Sequence, residues 1–475
     1  MQKENPSSLL SAADKVIINT LIFGAILPLL DTSVVNVALH DIGSQFGASL
    51  GLSQWTITSY TLAATGAVPL SGWLTQKIGS KRLWLTSLWI FLFGSLFSGL
   101  AWNIETLIFS RVLQGVACGV LLPTMQTIVI EAIGKKKAKS ALTAMAIPSV
   151  IAPILGPVIA GALLRFADWR MIFWLHVPIC AVAIYLGWRN IPKDSRENFI
   201  AGFDIIGFLL LCPGMILSIY GIDSINPSSP ADMNTGIAVA SVGIVFLASF
   251  FLISKRKSDR SLIDISMFNH SNFRKASLLL FTSSAVYYGG IMLYPLYFIQ
   301  HDGYPSYLAG ILLGVHGIGT LLSRWKLDRI SRAVGEERTT VLAVILTIMG
   351  SCIVGWHGEL GNTWVLGFGM LLRGAGIGVL TIISMAGAYV GLTDRQISHA
   401  SSVTRMMTHL GATIGVTGVT IAIKVAISRV KCNKRSGVVI ENFRHDFVRG
   451  LGIQRQARAP VHQSGNIVQA GLADG

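Results

Sequence analysis

Three ionisable side chains interrupt long apolar stretches of this sequence and are the first candidates for chemistry. Asp31 lies in L30-D-T-S-V-V-N-V-A-L-H40, inside an apolar run over residues 16–39, and Arg111 and Arg373 lie in two later runs. Desolvation favours the protonated form of a carboxyl group, whereas a guanidinium close by favours the ionised form. A carboxyl group held between these influences is a usable proton carrier. A static ion pair that fixes helix packing is the alternative, and the sequence leaves both open.

The positions of Asp31 and Arg111 in their apolar runs predict similar depths in a membrane. Asp31 lies about 12 Å from the outer end of its helix, counted at roughly 1.5 Å per residue, and Arg111 lies about 9 Å from the same face. Charged groups at such depth are rare and usually functional. We therefore predict that both residues take part in proton coupling, whereas the sequence does not show whether they touch.

Other polar residues within apolar runs are weaker candidates. We predict that Asn36, Gln114 and Arg373 line a substrate cavity, and His176 and His316 are less favoured for the same role. Each of these side chains could instead form a hydrogen bond to a neighbouring helix.

The composition indicates a membrane protein with many spans. Of its 475 residues, 52% are hydrophobic and 13% charged, and the mean hydropathy is +0.60. A large soluble protein is excluded because long apolar runs recur, most of them sufficient to cross a hydrocarbon layer of about 30 Å. The first run is too long for a cleavable signal peptide and contains an acid. The predicted spans are 16–39, 53–73, 83–101, 105–129, 140–163, 170–188, 205–221, 235–253, 276–299, 307–322, 339–357, 363–391 and 408–428.

Charge placement predicts the orientation of these spans. The runs are helices, because a barrel would need short alternating segments. Connections on one side are rich in Lys and Arg. The basic residues of the connections on the other side are Arg165 and Arg170 alone. The positive-inside rule then places the N-terminus in the cytoplasm. The net charge of +15 is explained by topology, so we expect a lipid bilayer and no nucleic acid as partner.

Weak internal repetition predicts the domain organisation. Short basic connections, G72-W-L-T-Q-K-I-G-S-K-R-L83 and S323-R-W-K-L-D-R-I-S-R-A-V-G-E-E-R338, recur at nearly the same spacing as Arg111 and Arg373. Internal duplication is typical of transporters. We predict an all-α fold of two pseudo-symmetric six-helix halves plus two extra helices. Its parts are an N-terminal bundle over 1–200, a two-helix insertion over 201–260, a C-terminal bundle over 261–428 with five helices counted, and a basic tail over 429–475.

Four stretches together resemble the major facilitator superfamily, and specifically its fourteen-helix drug:proton antiporter branch. L30-D-T-S-V-V-N-V-A-L39 is similar to the first-helix motif of that branch, and L107-I-F-S-R-V-L-Q-G-V-A-C-G119 to the fourth-helix motif. G72-W-L-T-Q-K-I-G-S-K-R82 resembles the cytoplasmic loop signature of the superfamily. A152-P-I-L-G-P-V-I-A-G161 resembles the antiporter signature, and its prolines and glycines also predict a kinked helix.

The resemblance implies roles for the matched residues. Asp31 and Arg111 are implied in proton coupling. The residues implied in conformational switching are Gly72, Leu74, Gly79, Lys81 and Arg82 in the first half and Asp328 and Arg329 in the second. Those implied in the antiporter signature are Gly156, Pro157 and Gly161.

This sequence departs from the family pattern at several places. Gln76 stands where an acid is expected and Ser80 where an arginine is expected, and Ser331 occupies the place of a glycine in the second-half loop. A fourteenth helix is expected after residue 428, but a polar, basic segment follows instead. We therefore count thirteen spans where the resemblance implies fourteen and expect the last helix to be lost or replaced.

The preferred function is export of amphipathic or cationic drugs in exchange for protons by alternating access. Uptake of a specific small solute by the same fold and an inactive truncated relative are the alternatives. No phosphate-binding glycine loop, metal-spaced cluster or activated nucleophile supports an enzyme, a cofactor or a metal site. We expect a monomer in a bacterial inner membrane, with protons and small molecules as ligands, and accessory efflux components remain an open alternative.

Overall fold

The computed structural model describes residues 10–135, 137–145, 156, 159–193, 202–225, 229–257, 261–301, 304, 306–360 and 362–435. Within these residues the regular structure consists of helices without strands. Pro157 and the predicted tail beyond residue 435 lie outside the described part. An all-α membrane fold is therefore confirmed.

The described residues of the first half include seven helices with assigned bounds, and residues 159–166 are also helical. The helices are α1 (Ala12–Phe46), α2 (Leu50–Ala67), α3 (Leu70–Ile78), α4 (Ser80–Gly99), α5 (Ile104–Ile133), α6 (Ala138–Met145) and α7 (Arg170–Asn190). Two helices of the predicted insertion, α8 (Ile205–Asp223) and α9 (Pro230–Lys257), pack against each other.

The second half begins with a short 3₁₀ turn over Ile265–Asn269, and a π turn over Tyr297–His301 follows its first long helix. The helices are α10 (Ser271–Leu296), α11 (Ser306–Val334), α12 (Glu336–Leu360), α13 (Thr363–Gly387) and α14 (Asp394–Arg435). The domain boundaries proposed from the sequence stay predictions.

Ten helical segments of the described residues are long and apolar enough to cross a membrane, and Leu308–Arg324 is a shorter apolar helix. This shorter helix accounts for the predicted span 307–322. The predicted span 53–73 is divided, because α2 ends before Pro69 and α3 begins after it. Proline lacks a backbone donor and interrupts helical hydrogen bonding. The predicted span 140–163 falls partly outside the described residues.

Single glycines separate helices at corresponding turns of the two halves. Gly79, with φ of +90°, is the one residue between α3 and α4, and Gly335, with φ of +88°, is the one residue between α11 and α12. Left-handed backbone favours glycine because it has no Cβ atom. The second-half turn glycine is thus Gly335 and not a residue at position 331. Asp328 and Arg329 lie inside α11 rather than in a loop.

Paired glycines let helices of each half approach closely. A methyl group at Gly115 or Gly119 would lie 2.3 or 2.1 Å from backbone oxygens of α2. In the second half, a methyl group at Gly374 or Gly378 would lie 2.0 or 2.9 Å from backbone oxygens of α11. The pairs have the same spacing and the same type of partner helix. They therefore identify equivalent positions of α5 and α13.

These equivalent positions correct the match between the two membrane arginines. Gln114 and Arg373 each come directly before the first glycine of the pair in their half. A methyl group at Gly94 of α4 would meet Gln114, and one at Gly350 of α12 would meet Arg373. Arg373 therefore corresponds to Gln114. The prediction that Arg373 repeats Arg111 is wrong by nearly one helical turn.

The two halves are joined mainly at one end of the bundle. We call this the basic end, because it carries the connections with Lys81, Lys135 and Lys139. The largest hydrophobic cluster contains residues of both halves, including α14. Two smaller clusters each belong to one half: one contains Phe173 and the other contains Phe298.

The glycine packing generates a test with a matched control. Gly119→Ala should lower the free energy of unfolding by about 1–3 kcal/mol, because the new methyl group overpacks α5 against α2. Gly367→Ala in α13 meets nothing within 4 Å and should be neutral or stabilising, since alanine favours helices by about 1 kcal/mol over glycine. Thermal unfolding of the purified variants in detergent measures both. Equal melting temperatures would contradict the assigned close contact.

Candidate functional site

Asp31 of α1 and Arg111 of α5 form an ion pair inside the first half. Nη1 of Arg111 lies 2.7 Å from each carboxylate oxygen of Asp31 and donates a hydrogen bond to Oδ1. Asp31 is 0% exposed and Arg111 is 1% exposed. The two residues predicted to lie at similar depth are thus in contact, which the sequence could not show, and their role in proton coupling stays a prediction.

The remaining donors of Arg111 hold its guanidinium in one orientation. Nε donates to the backbone oxygen of Thr56 at 2.9 Å, and Nη1 also donates to Oε1 of Gln114 at 2.9 Å. Gln114 in turn donates from Nε2 to Ser95 at 2.8 Å. The Tyr60 ring lies 4.3 Å below the guanidinium carbon. Helices α1 and α2 and the residue's own helix α5 therefore hold this side chain, with α1 supplying the charge partner and α4 contacting Gln114.

His176 of α7 completes this buried polar cluster. Its Nδ1 lies 3.9 Å from Oδ1 of Asp31, and the ring packs edge-on against Phe91 and Phe173. Nδ1 forms no hydrogen bond to any described residue. A second titratable group thus faces the carboxylate. The sequence favoured this histidine only weakly, because W174-L-H-V-P178 alone does not indicate what it contacts.

The geometry of this cluster determines what it can do. Removing a carboxylate and a guanidinium from water is costly, and the pair is retained only with good geometry and additional hydrogen bonds. Protonation of Asp31 would remove the attraction but leave the guanidinium held by α2 and α5. The cluster can therefore gain a proton without losing the position of Arg111.

Arg373 is placed differently from Arg111. Its Nη2 donates to the backbone oxygen of Val286 at 2.7 Å, and the guanidinium lies 4.7 Å from the Tyr294 ring centre. A methyl group at Gly290 would lie 2.0 Å from Nη2, so the absence of a side chain there admits the guanidinium. Among the described residues, no carboxylate lies at ion-pair distance from Arg373. Among its described residues, the second half therefore shows no copy of the first-half ion pair.

A cavity of about 270 Å³ lies between the two halves. Its walls come from α1, α5 and α6 of the first half and from α10, α11, α13 and α14 of the second. The lining residues are Ala25, Leu29, Leu122, Met125, Gln126, Leu142, Met145, Leu280, Ser284, Tyr287, Tyr288, Ile291, Thr320, Arg324, Ile377, Thr381, Ile382, Met385, Thr404, Arg405 and Thr408.

The residues predicted to line a substrate cavity do not line this one. Asn36 is exposed on α1, whereas Gln114 and Arg373 are buried within their own halves. Their assignment to a substrate cavity stays a prediction that this geometry does not favour. Arg324 and Arg405 line the cavity instead.

Sequence analysis missed both lining arginines because it placed them in connections between spans. The structure continues α11 to Val334 and begins α14 at Asp394, so both side chains belong to helices. The predicted last span, which begins at residue 408, starts too late because a polar helix face lowers the local hydropathy. Helical spacing of that polar face was the available signal. Its members are Ser398, Ser401, Ser402, Thr404, Arg405 and Thr408.

The halves contact each other at the basic end through neutral hydrogen bonds. The hydroxyl oxygens of Ser71 in α3 and Ser402 in α14 lie 2.8 Å apart. Nε2 of Gln76 donates to Ser398 at 3.3 Å and lies 2.8 Å from Nε2 of His399. The departure from an acid at position 76 therefore leaves a polar contact across the halves without an ion pair.

Lysines of the α5–α6 region add charged contacts at the same end. Lys135 donates to the backbone oxygen of Leu392 at 2.6 Å, at the turn before α14. Lys139 donates to Ser331 and to Glu336, each at 2.8 Å. We call these contacts, together with those of α3 and α14, the basic-end gate.

The predicted switch-loop residues occupy several places. Gly72 lies in the basic-end gate, where a methyl group would be 3.0 Å from Nδ1 of His399. Lys81 donates to the backbone oxygen of Trp188 at 2.8 Å, near the end of α7. Leu74 packs in a small first-half cluster and Arg82 is exposed.

The positions of Gly79 and of two antiporter-signature residues, Gly156 and Gly161, follow from the course of the backbone. Gly79 forms the turn between α3 and α4. Gly156 is buried, and Gly161 is exposed in the helical residues 159–166. A methyl group at Gly161 would meet no atom within 4 Å. The described residues contain no group of three His, Cys, Asp or Glu side chains that could hold a metal ion.

Known proteins resemble this chain in sequence. The family model of the Major Facilitator Superfamily matches residues 21–416. The Multidrug resistance protein B homolog of Mycobacterium tuberculosis (strain ATCC 25618 / H37Rv) is 27% identical over 402 residues, which cover 83% of this chain and 73% of that protein. The Putative multidrug resistance protein MdtD of Escherichia coli (strain K12) is 28% identical over 414 residues, with 83% of each chain covered.

Solved structures share the fold. The human organic anion transporter MFSD10 has a TM-score of 0.61 at 15% identity, covering 87% of this chain and 93% of its own. The proton:xylose symporter XylE has a TM-score of 0.60 at 12% identity, covering 86% and 88%. The apolar helices, the two joined halves and the family match lead to one conclusion: this chain is an integral membrane protein that belongs to the Major Facilitator Superfamily of transporters.

Proposed function

We propose that this protein exports amphipathic compounds in exchange for protons by alternating access. The observation that carries the proposal is the buried contact between Asp31 and Arg111. The relatives named for multidrug resistance support drug export as the biological task. Cationic drugs are among the substrates that the sequence predicts, and the charge of the cavity bears on that prediction.

Proton coupling follows from the energetics of a buried acid. An ionised Asp31 is stabilised by Arg111, whereas a protonated Asp31 no longer attracts the guanidinium. A ligand or proton shifts a conformational equilibrium only as far as it interacts differently with the two states. Asp31 supplies such a difference if one conformation exposes it to protons and the other separates it from them.

Alternating access requires a barrier that opens and closes. If the basic end is cytoplasmic, as the positive-inside rule predicts, the basic-end gate separates the cavity from the cytoplasm in this conformation. The gate combines hydrogen bonds between hydroxyl and amide groups with the charged contacts of Lys135 and Lys139. Individual hydrogen bonds contribute about 0.5–1.5 kcal/mol net, so we expect proton and substrate to open the gate by weakening several of these contacts together.

The proton role of Asp31 is tested by Asp31→Asn. Asparagine retains an oxygen that can accept a hydrogen bond from Arg111, but it cannot release a proton in the transport cycle. We expect substrate-induced proton release to be abolished in inverted vesicles challenged with amphipathic dyes. Asp41→Asn, an exposed position on the same helix, is the matched control and should release protons normally. Normal release by Asp31→Asn would remove this residue from the coupling mechanism.

Gate opening is tested by a disulfide across the two halves. Ser71→Cys with Ser402→Cys, in a background without the five native cysteines, places two thiols where the hydroxyl oxygens are 2.8 Å apart. Oxidation should cross-link the variant and stop transport, and dithiothreitol should restore it. Each single variant serves as a control and should be insensitive to oxidant. Undiminished transport by fully cross-linked protein would contradict alternating access through this gate.

A further inference from the structure

We propose that the cavity between the halves binds an amphipathic organic anion, whose acidic head group is held by Arg324 and Arg405. The inference rests on the proposed function in one respect: it takes this cavity as the site of the transported compound. It changes the substrate class, because the sequence had suggested cationic drugs.

The charge of the lining is positive. Arg324 and Arg405 are the charged members of the lining, and Asp and Glu are not represented among its described residues. A low-dielectric enclosure strengthens the interaction of its charges with a ligand. Cationic compounds would be repelled from such a cavity, whereas an anion would offset the positive charge.

Arg324 is oriented by the helix beside it. Nε donates to the backbone oxygen of Gly378 at 3.3 Å, and Nη2 donates to the hydroxyl of Thr381 at 3.1 Å. The side chain is 9% exposed. Fixing a guanidinium before binding reduces the entropy lost when a ligand arrives.

Arg405 is partly buried and has a different environment from Arg324. It lies in α14 between Thr404 and Thr408 of the cavity wall. Within the described part of the chain, no carboxylate forms an ion pair with it and no group accepts its hydrogen bonds. A guanidinium offers five donors and binds a carboxylate or sulfonate through two parallel hydrogen bonds.

Nearby carboxylates are engaged in other contacts. Asp31 pairs with Arg111, Glu131 accepts a hydrogen bond from Ser80 at 2.8 Å, and Glu336 pairs with Lys139. None of the three acids lines the cavity. Within the described residues, the charge of Arg405 is thus left for a ligand to balance.

The remaining lining residues indicate what the rest of the ligand should be like. Apolar faces come from Leu29, Met125, Ile291, Ile382 and Met385. Methionine side chains adapt to ligands of different shape. Tyrosine and threonine hydroxyls can orient further polar atoms. An aromatic or aliphatic carboxylate or sulfonate matches both the charge and the apolar surface.

The test compares two probes with one body and opposite charge. Naphthalenesulfonate and naphthylmethylammonium are titrated calorimetrically into the full-length protein in detergent. We expect the anion to bind at least about ten-fold more tightly than the cation. Arg405→Gln should weaken anion binding by about ten-fold. Arg405→Lys, which keeps the charge but loses the two parallel donors, should give an intermediate affinity.

Arg165→Gln is the matched control, because it removes the same charge from an exposed position outside the cavity. Its anion affinity should equal that of the unmodified protein. Equal or tighter binding of the cation by the unmodified protein would overturn the inference without the need for any variant. An equal loss of anion affinity in Arg405→Gln and Arg165→Gln would also overturn the inference, since it would show a general effect of net charge.

Failure of this inference can be distinguished from failure of the proposed function. Calorimetric binding needs no proton gradient, so it reports on the cavity alone. Proton-coupled transport of naphthylmethylammonium without binding of naphthalenesulfonate would overturn the substrate class and leave proton antiport intact. Selective anion binding, together with normal proton release by Asp31→Asn, would keep the anion site and overturn the coupling mechanism.

Discussion

Charged groups inside a membrane-spanning bundle must find partners within the protein, and this constraint organises the structure. Asp31 and Arg111 satisfy it through a contact of 2.7 Å, with further hydrogen bonds from α2 and within α5. An unpaired charge in such surroundings is costly, because neither lipid nor apolar side chains replace its water. The local arrangement of the first half therefore depends on this pair and on the helices that present it.

The second half solves the same problem without an acid. Arg373 donates to a backbone oxygen of α10 and lies over Tyr294, in a space that Gly290 leaves free. Its counterpart in the first half is Gln114, so the helix packing is alike in the two halves at this position and the chemistry differs. This asymmetry is consistent with a mechanism in which the first half handles protons. In the same mechanism, the cavity between the halves binds the substrate.

The cavity and the basic-end gate share α14. Ser398, Ser402 and their neighbours face the first half at the gate, while Arg405 and Thr408 face the cavity further along the same helix. A movement of α14 would therefore alter the barrier and the substrate surroundings together. If the proposed anion site is right, Arg405 places a substrate-binding group on the same helix that forms part of the gate.

The sequence by itself determined the all-α membrane fold, most of the spans and the similar depth of Asp31 and Arg111, whereas their contact came from the tertiary structure. Apolar length and an isolated charge are local properties, and they hold whatever the neighbours are. Only the tertiary structure decided that Arg373 corresponds to Gln114 and that Arg324 and Arg405 line the cavity. A hydropathy pattern cannot distinguish a polar helix face that meets another helix from a connection in water, because both have the same composition. Which face a side chain occupies depends on how the halves pack, and that packing joins residues hundreds of positions apart.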